Sequence, residues 1–140
     1  MPSANVGNLT KKLADAYFGS GTFKFLLVSS APTETELDTF DFRNDVTNEV
    51  AASGSYAIGG ATVTCTVGAY DATNNRVPVT FGNPAAFTSA TIAAVGGWLY
   101  KAVGSSSTDE LISFVDFGGT KTSTNDTFTV TFSTPLYVNR

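Results

Sequence analysis

The sequence predicts an all-β protein: an antiparallel β-sandwich, jelly-roll-like, of about eight strands with one short N-terminal helix. Three observations lead to this fold class. Short stretches of alternating apolar and polar residues recur along the chain, and turn-forming residues separate them. Only one stretch repeats its apolar residues with a helical period, and no β-α-β order is present. The chain has 140 residues, 42% of them apolar, which is enough for one hydrophobic core.

The single convincing helix is predicted over Asn8–Phe18. Leu9, Leu13 and Tyr17 recur at i, i+4 and i+8 on one face, and Phe18 widens this apolar stripe. A helix of about eleven residues is too short to be stable alone in water. Its stripe must therefore be covered, either by the protein's own sheet or by a partner. Both alternatives remain open at this point.

The arm before the helix carries no periodic pattern. Residues 1–7 are therefore predicted to form a flexible N-terminal arm, and residues 8–140 a single β-sandwich domain.

Alternation, or a continuous apolar run, predicts each remaining element as a strand. Ala61–Val67 has the clearest alternation, and Gly96 and Gly97 indicate a bulge in the longest strand. Gly118 and Gly119 are expected to end the strand before them. The predicted strands are Thr22–Ser30, Thr39–Arg43, Ala61–Val67, Arg76–Phe81, Thr91–Val103, Glu110–Phe117, Thr127–Ser133 and Leu136–Val138.

Pro78 lies inside one of these strands, Arg76–Phe81. Because proline cannot donate a hydrogen bond to a sheet, this strand is expected at a sheet edge or at a bulge. An edge strand leaves backbone groups near a neighbouring chain, so Pro78 is a candidate interface residue.

The residues that most enzymes use are missing or isolated. The chain has no histidine, which excludes His-based triads, general bases and zinc sites, and it has one cysteine, Cys65. Cys65 shares a strand face with valines and is interpreted as an apolar filler. Phosphate-binding and nucleophile-elbow motifs are absent from the sequence. We therefore predict a protein that is not an enzyme and has no catalytic residues, no cofactor and no metal.

Two features leave alternatives to this interpretation. The acidic stretch from Glu34 to Glu49 is dense in carboxylates, which a cation site needs, but a solvated or structural role is favoured because Arg43 lies within it. Trp98 and Tyr100 share one strand face, as in the aromatic platform of a carbohydrate-binding module. A place in the core is favoured for them.

Charge and hydropathy limit the partners. The net charge is −4, which argues against nucleic acid because phosphate binding depends on Lys and Arg. No apolar run approaches the roughly 20 residues of a membrane span, and the first residues lack the pattern of a secretory signal. We expect no membrane association and synthesis in a cytoplasm.

Several segments together resemble a family of small virion proteins of tailed bacteriophages and prophages. The segments are Asp41–Val50, Tyr56, Gly59–Thr62, Tyr70–Val77, Leu99–Lys101 and Leu111–Gly118. The resemblance covers residues 8–134, and capsid cement (decoration) proteins are its nearest functional match. The family pattern usually has a polar or charged pair near residues 82–85, where this chain has Gly82-Asn83-Pro84.

The resemblance implies a jelly-roll-like structural protein on the exterior of the capsid, made in the host cytoplasm. It would clamp neighbouring major capsid protein subunits, self-associate on the shell and carry no catalytic residue. A tail or neck component and a carbohydrate-binding β-sandwich module for host adhesion are the alternatives. The interface residues we predict are Leu9, Leu13, Tyr17, Phe18 and Pro78.

Overall fold

The computed structural model describes residues 6–140, and strands and isolated β-bridges together make up 47% of these residues. The elements in chain order are α1 (Gly7–Phe18), β1 (Thr22–Val28), α2 (Glu34–Thr39), a 3-10 turn (Arg43–Asp45), β2 (Ala61–Val63), β3 (Cys65–Val67), β4 (Arg76–Phe81), β5 (Phe87–Ala102), β6 (Glu110–Phe128) and β7 (Leu136–Asn139). The mostly-β composition, the antiparallel pairing and the short N-terminal helix are confirmed.

The chain folds into two compact units and alternates between them. Unit 1 consists of residues 6–21, 64–83 and 131–140, and unit 2 consists of residues 22–63 and 84–130. Each unit contains one antiparallel sheet. The flexible arm predicted over residues 1–7 lies mostly outside the described residues, and α1 already begins at Gly7. A single domain over residues 8–140 stays a prediction.

Unit 2 is built on a four-stranded sheet of order β2-β1-β5-β6. Strand β1 is one of the two inner strands, and its last four residues, Phe25–Val28, are apolar and buried on both faces of the sheet. One face of the sheet carries a cluster of four buried residues, Leu26, Val28, Trp98 and Tyr100. Gly97 allows β1 and β5 to approach closely, since a Cβ at this position would overlap the backbone oxygen of Leu26.

The segment between β1 and β2 differs from the prediction. Thr39–Arg43 is not a strand, because the preceding residues form helix α2 and the following ones a 3-10 turn. The start of α2 is fixed by a capping box in which Thr33 and Glu36 exchange hydrogen bonds with each other's backbone. Sequence alternation alone missed this local side-chain pairing.

Three other predicted strands differ from the elements observed. Ala61–Val67 divides at Thr64 into β2 and β3, which belong to different sheets. Conversely, β6 continues through Gly118 and Gly119 instead of ending there. Both glycines have positive φ, and the pairing register with β5 shifts across them, so they form a bulge and not a turn. The separate strand predicted over Thr127–Ser133 is wrong, because Thr127 and Phe128 are the last residues of β6 and residues 129–135 form no strand.

Unit 1 is a three-stranded sheet of order β3-β4-β7, and α1 packs on it. The edge position predicted for the Pro78 strand is wrong, because β4 is the central strand. Pro78 is tolerated there because β3 ends at Val67. The N–H of Gly68 donates to the Pro78 oxygen at 2.8 Å, and the ladder with β3 stops at the proline, which has no N–H to return.

Candidate functional site

Helix α1 divides its apolar residues between two surfaces. Thr10, Ala14 and Phe18 are buried against the sheet of unit 1. The Phe18 ring meets the Phe81 ring of β4 edge-on, with 6.3 Å between the ring centroids. This face of α1 therefore belongs to the protein's own core.

The adjoining surface of α1 is apolar and faces solvent. Val6 at the helix cap, Leu9 and Leu13 are 66%, 40% and 53% exposed. We call these three residues the α1 flank. They follow the i, i+3, i+7 spacing that places side chains on one line along a helix. The apolar arc of α1 is wider than the small sheet covers, and the flank is the uncovered part.

The remaining surface of α1 is polar. Lys11 pairs with Asp15 at 2.5 Å one turn further along the helix, and Lys12 is exposed. Lys12 lies three residues after Leu9, so it stands at the border of the α1 flank. The flank is thus an apolar strip beside a lysine.

The structure separates the residues predicted as one interface. Leu9 and Leu13 are available to a partner, whereas Phe18 is a core residue and Tyr17 is half-buried, with its ring edge-on to Phe18. The prediction left open whether the stripe binds a partner or closes the protein's own fold. Phe18 closes the fold of unit 1, and for the exposed Leu9 and Leu13 a partner contact stays a prediction. Pro78 was predicted as an interface residue because its strand was expected at a sheet edge, and the strand is not at an edge.

The aromatic pair on β5 does not form an exposed platform. Trp98 and Tyr100 are both buried, and the ring of Trp98 lies 6.2 Å from Phe40 and 5.4 Å from Phe114. The Tyr100 hydroxyl donates to the backbone oxygen of Gly59 at 2.5 Å. Burial is the main cause that raises the pKa of Tyr100 to about 12. The core placement favoured from the sequence is confirmed.

An ion pair anchors the turn between β5 and β6. Asp109 is buried and accepts hydrogen bonds from the N–H groups of Val103 at 2.7 Å and Gly104 at 3.2 Å. It also accepts from Arg43 Nε at 2.9 Å. Burial raises the pKa of this carboxyl, but these hydrogen bonds outweigh it, so the pKa lies below its ordinary value.

Arg43 belongs to the 3-10 turn, and its guanidinium also lies over the Tyr100 ring, 5.4 Å from the centroid. The sequence showed Arg43 only as a cation within an acidic stretch. Its partner Asp109 is 66 residues away, and no local pattern links the two.

The acidic stretch serves the local structure of unit 2. Glu49 accepts from the Tyr56 hydroxyl at 2.8 Å and from the Gly59 N–H at 2.6 Å. Asp45 accepts from the N–H groups of Asp41 and Phe42, both at 2.9 Å, and these bonds lower its pKa. Among the described residues, no group of three or more possible ligands is placed to hold a metal ion.

Helix α2 presents the other exposed apolar residue on a helix. Leu37 is 44% exposed, and its neighbours Glu34 and Asp38 are exposed as well. We call Glu34, Leu37 and Asp38 the α2 surface.

The two units differ in charge. Unit 1 has four basic and two acidic side chains, and unit 2 has four basic and ten acidic side chains.

Comparisons with protein-family models, with curated proteins and with solved structures found no match for this chain. Within residues 6–140, no helix is both long and apolar enough to span a membrane.

Proposed function

We propose that this protein is a capsid cement (decoration) protein of a tailed bacteriophage. It binds the outer face of the head and clamps neighbouring major capsid protein subunits, without catalysis and without a cofactor. We further propose that its two sheets form a jelly-roll-like sandwich. The resemblance of residues 8–134 to small virion proteins supports the assignment to a phage particle.

The observation that carries the proposal is the α1 flank. Its valine and leucines are held in water on a helix whose opposite face is fixed in the core of unit 1. Each square ångström of such surface that a partner removes from water contributes about 25 cal/mol. An apolar strip of this kind on a folded unit is typical of a protein–protein contact, which a cement protein requires.

The polar groups of unit 2 support a structural role. Asp109 accepts hydrogen bonds from two backbone N–H groups and from Arg43, and Glu49 accepts from the Tyr56 hydroxyl and the Gly59 N–H. Hydrogen bonds of this kind hold loops in one conformation, as a clamp between large subunits needs.

The structure bears on one of the two alternatives, and the number of copies in the particle decides the other. A carbohydrate-binding module needs exposed aromatic rings, and the tryptophan that was its candidate is buried. A tail or neck component uses the same kind of contact surface as a cement protein, so only the number of copies in the particle distinguishes the two.

The test is quantitative mass spectrometry of purified virions, with the major capsid protein as the internal reference. The proposal predicts a copy number comparable to that of the major capsid protein, because a cement protein follows the symmetry of the shell. A number that matches a single ring or tail indicates the tail or neck alternative. Absence from the virion refutes a structural role in the particle.

A further inference from the structure

Two exposed helix surfaces of this chain are complementary in charge and in the order of their residues. On α1, Leu9 is followed three residues later by the exposed Lys12. On α2, the exposed Glu34 is followed three residues later by Leu37. Residues three apart lie on the same face of a helix. Leu9 therefore shares a face of α1 with Lys12, Leu37 shares a face of α2 with Glu34, and the two charges are opposite.

We propose that the α1 flank of one copy docks on the α2 surface of a second copy. With the two helices antiparallel, Leu9 meets Leu37 and Lys12 meets Glu34 in the same register. The inference rests on the use of the α1 flank as a contact surface in the proposed function. It can be tested without phage particles, because it concerns association between free copies of the protein.

Cross-pairing of the two surfaces is favoured over pairing of identical surfaces. Two α1 flanks in contact would bring lysines together, and two α2 surfaces would bring carboxylates together, which costs free energy in both cases. The charge difference between the units acts in the same direction over longer distances, since unit 1 has an excess of basic and unit 2 an excess of acidic side chains.

A contact between two different surfaces leaves one of each unused at the ends of any open assembly. Such head-to-tail contacts extend or close into rings, whereas contacts between identical surfaces stop at the dimer. The surfaces are small, below the roughly 1,200 Å² of a stable interface, so we expect weak association in solution. On a shell, where copies are held side by side, the effective concentration would favour the same contact.

The test is sedimentation equilibrium of the full chain with two single variants, Leu13→Asp on the α1 flank and Leu37→Asp on the α2 surface. Wild type is expected to associate with rising concentration, and each variant to associate at least about tenfold more weakly. A mixture of the two variants is expected to form dimers, because one intact surface of each kind remains. These dimers cannot extend, because the exposed ends carry the substituted surfaces.

The control is Ile58→Asp. Ile58 is 59% exposed but lies on neither surface, so its variant should associate as wild type does. Circular dichroism is the check that Leu13→Asp, Leu37→Asp and Ile58→Asp are folded. The double variant K12E/E34K should associate as wild type does, whereas each of its single substitutions should associate more weakly, and higher salt should weaken the wild-type contact.

The inference is overturned if wild type stays monomeric at high concentration, if Leu37→Asp associates like wild type, or if the mixture of variants fails to form dimers. Failure of the proposed function has a different signature, which is absence from the virion. A protein that associates head-to-tail in solution but is absent from virions would retain this inference and lose the cement function.

Discussion

The two units of this protein treat their apolar residues differently. In unit 2 the large aromatic side chains of the β5 face are buried, and the polar groups beside them have partners, as the Arg43–Asp109 pair shows. In unit 1 the helix covers its small sheet with one face and leaves the α1 flank in solvent. The aromatic face of β5 in unit 2 is thus covered by the protein itself, whereas one side of α1 in unit 1 stays in solvent, and exposed apolar residues of unit 2 such as Leu37 and Ile58 lie outside that face.

The variant Trp98→Ala should have the largest effect of those that test this difference between the two units. The variant removes the largest side chain of the buried cluster and leaves a cavity against Phe40 and Phe114. We expect a loss of about 3–5 kcal/mol in the free energy of unfolding, measured by circular dichroism in denaturant. A loss below about 1 kcal/mol would mean that the cluster is not the core of unit 2.

Within α1, Phe18→Ala and Leu13→Ala form a matched pair. Phe18 is buried against Phe81, so its truncation should lower the free energy of unfolding by about 3 kcal/mol. Leu13 is 53% exposed, so its truncation should change this quantity by at most about 0.5 kcal/mol. Denaturant titration of both variants measures the difference, and equal losses would contradict the division of α1 into two surfaces.

A smaller effect is expected from the pH dependence of Asp109. Its pKa lies below the ordinary value in the folded protein, so ionised Asp109 stabilises the fold at pH values above its unfolded pKa of about 3.9. This contribution is lost as the pH falls through the folded pKa. The variant Asp109→Asn lacks it at every pH.

The destabilisation by Asp109→Asn, relative to wild type, should therefore be greatest near neutral pH and shrink on acidification below about pH 4. Unfolding followed by the fluorescence of Trp98, the one tryptophan of the chain, reports on unit 2. The exposed Asp126→Asn is the matched control, and an Asp109→Asn effect that does not depend on pH would mean that the Arg43 pair does not stabilise unit 2.

The sequence predicted the strands whose pattern is local. β1 and β4 begin where alternation or a continuous apolar run begins, and β4 has the predicted limits Arg76–Phe81. The sheet to which a strand belongs is not local, so Ala61–Val67 read as one strand although the chain passes between units at Thr64. Gly118 and Gly119 likewise suit a turn and a bulge equally well, and only pairing with β5 decides between them.

Only part of the candidate site could be predicted, because the rest depends on which segments pack together and not on a local pattern. The period of α1 identified Leu9, Leu13 and Phe18 as apolar but did not show which of them the sheet would cover. That depends on the width of a sheet assembled from three distant segments. The α2 surface was missed because the residues from Glu34 onward were interpreted only as an acidic stretch, and no helix was assigned to them. The pairing of Thr33 with Glu36 was the signal for the start of that helix.

The central claim is that α1 carries a contact surface separate from the core of unit 1. The most direct measurement is the number of copies of Leu13→Asp that bind to phage heads purified without this protein, compared with wild type and Ile58→Asp. The account predicts that Leu13→Asp is folded and as stable as wild type but binds the heads more weakly, because it lacks the contact that the α1 flank makes with a neighbouring copy, while Ile58→Asp saturates them as wild type does. A folded Leu13→Asp that saturates heads like wild type would contradict it.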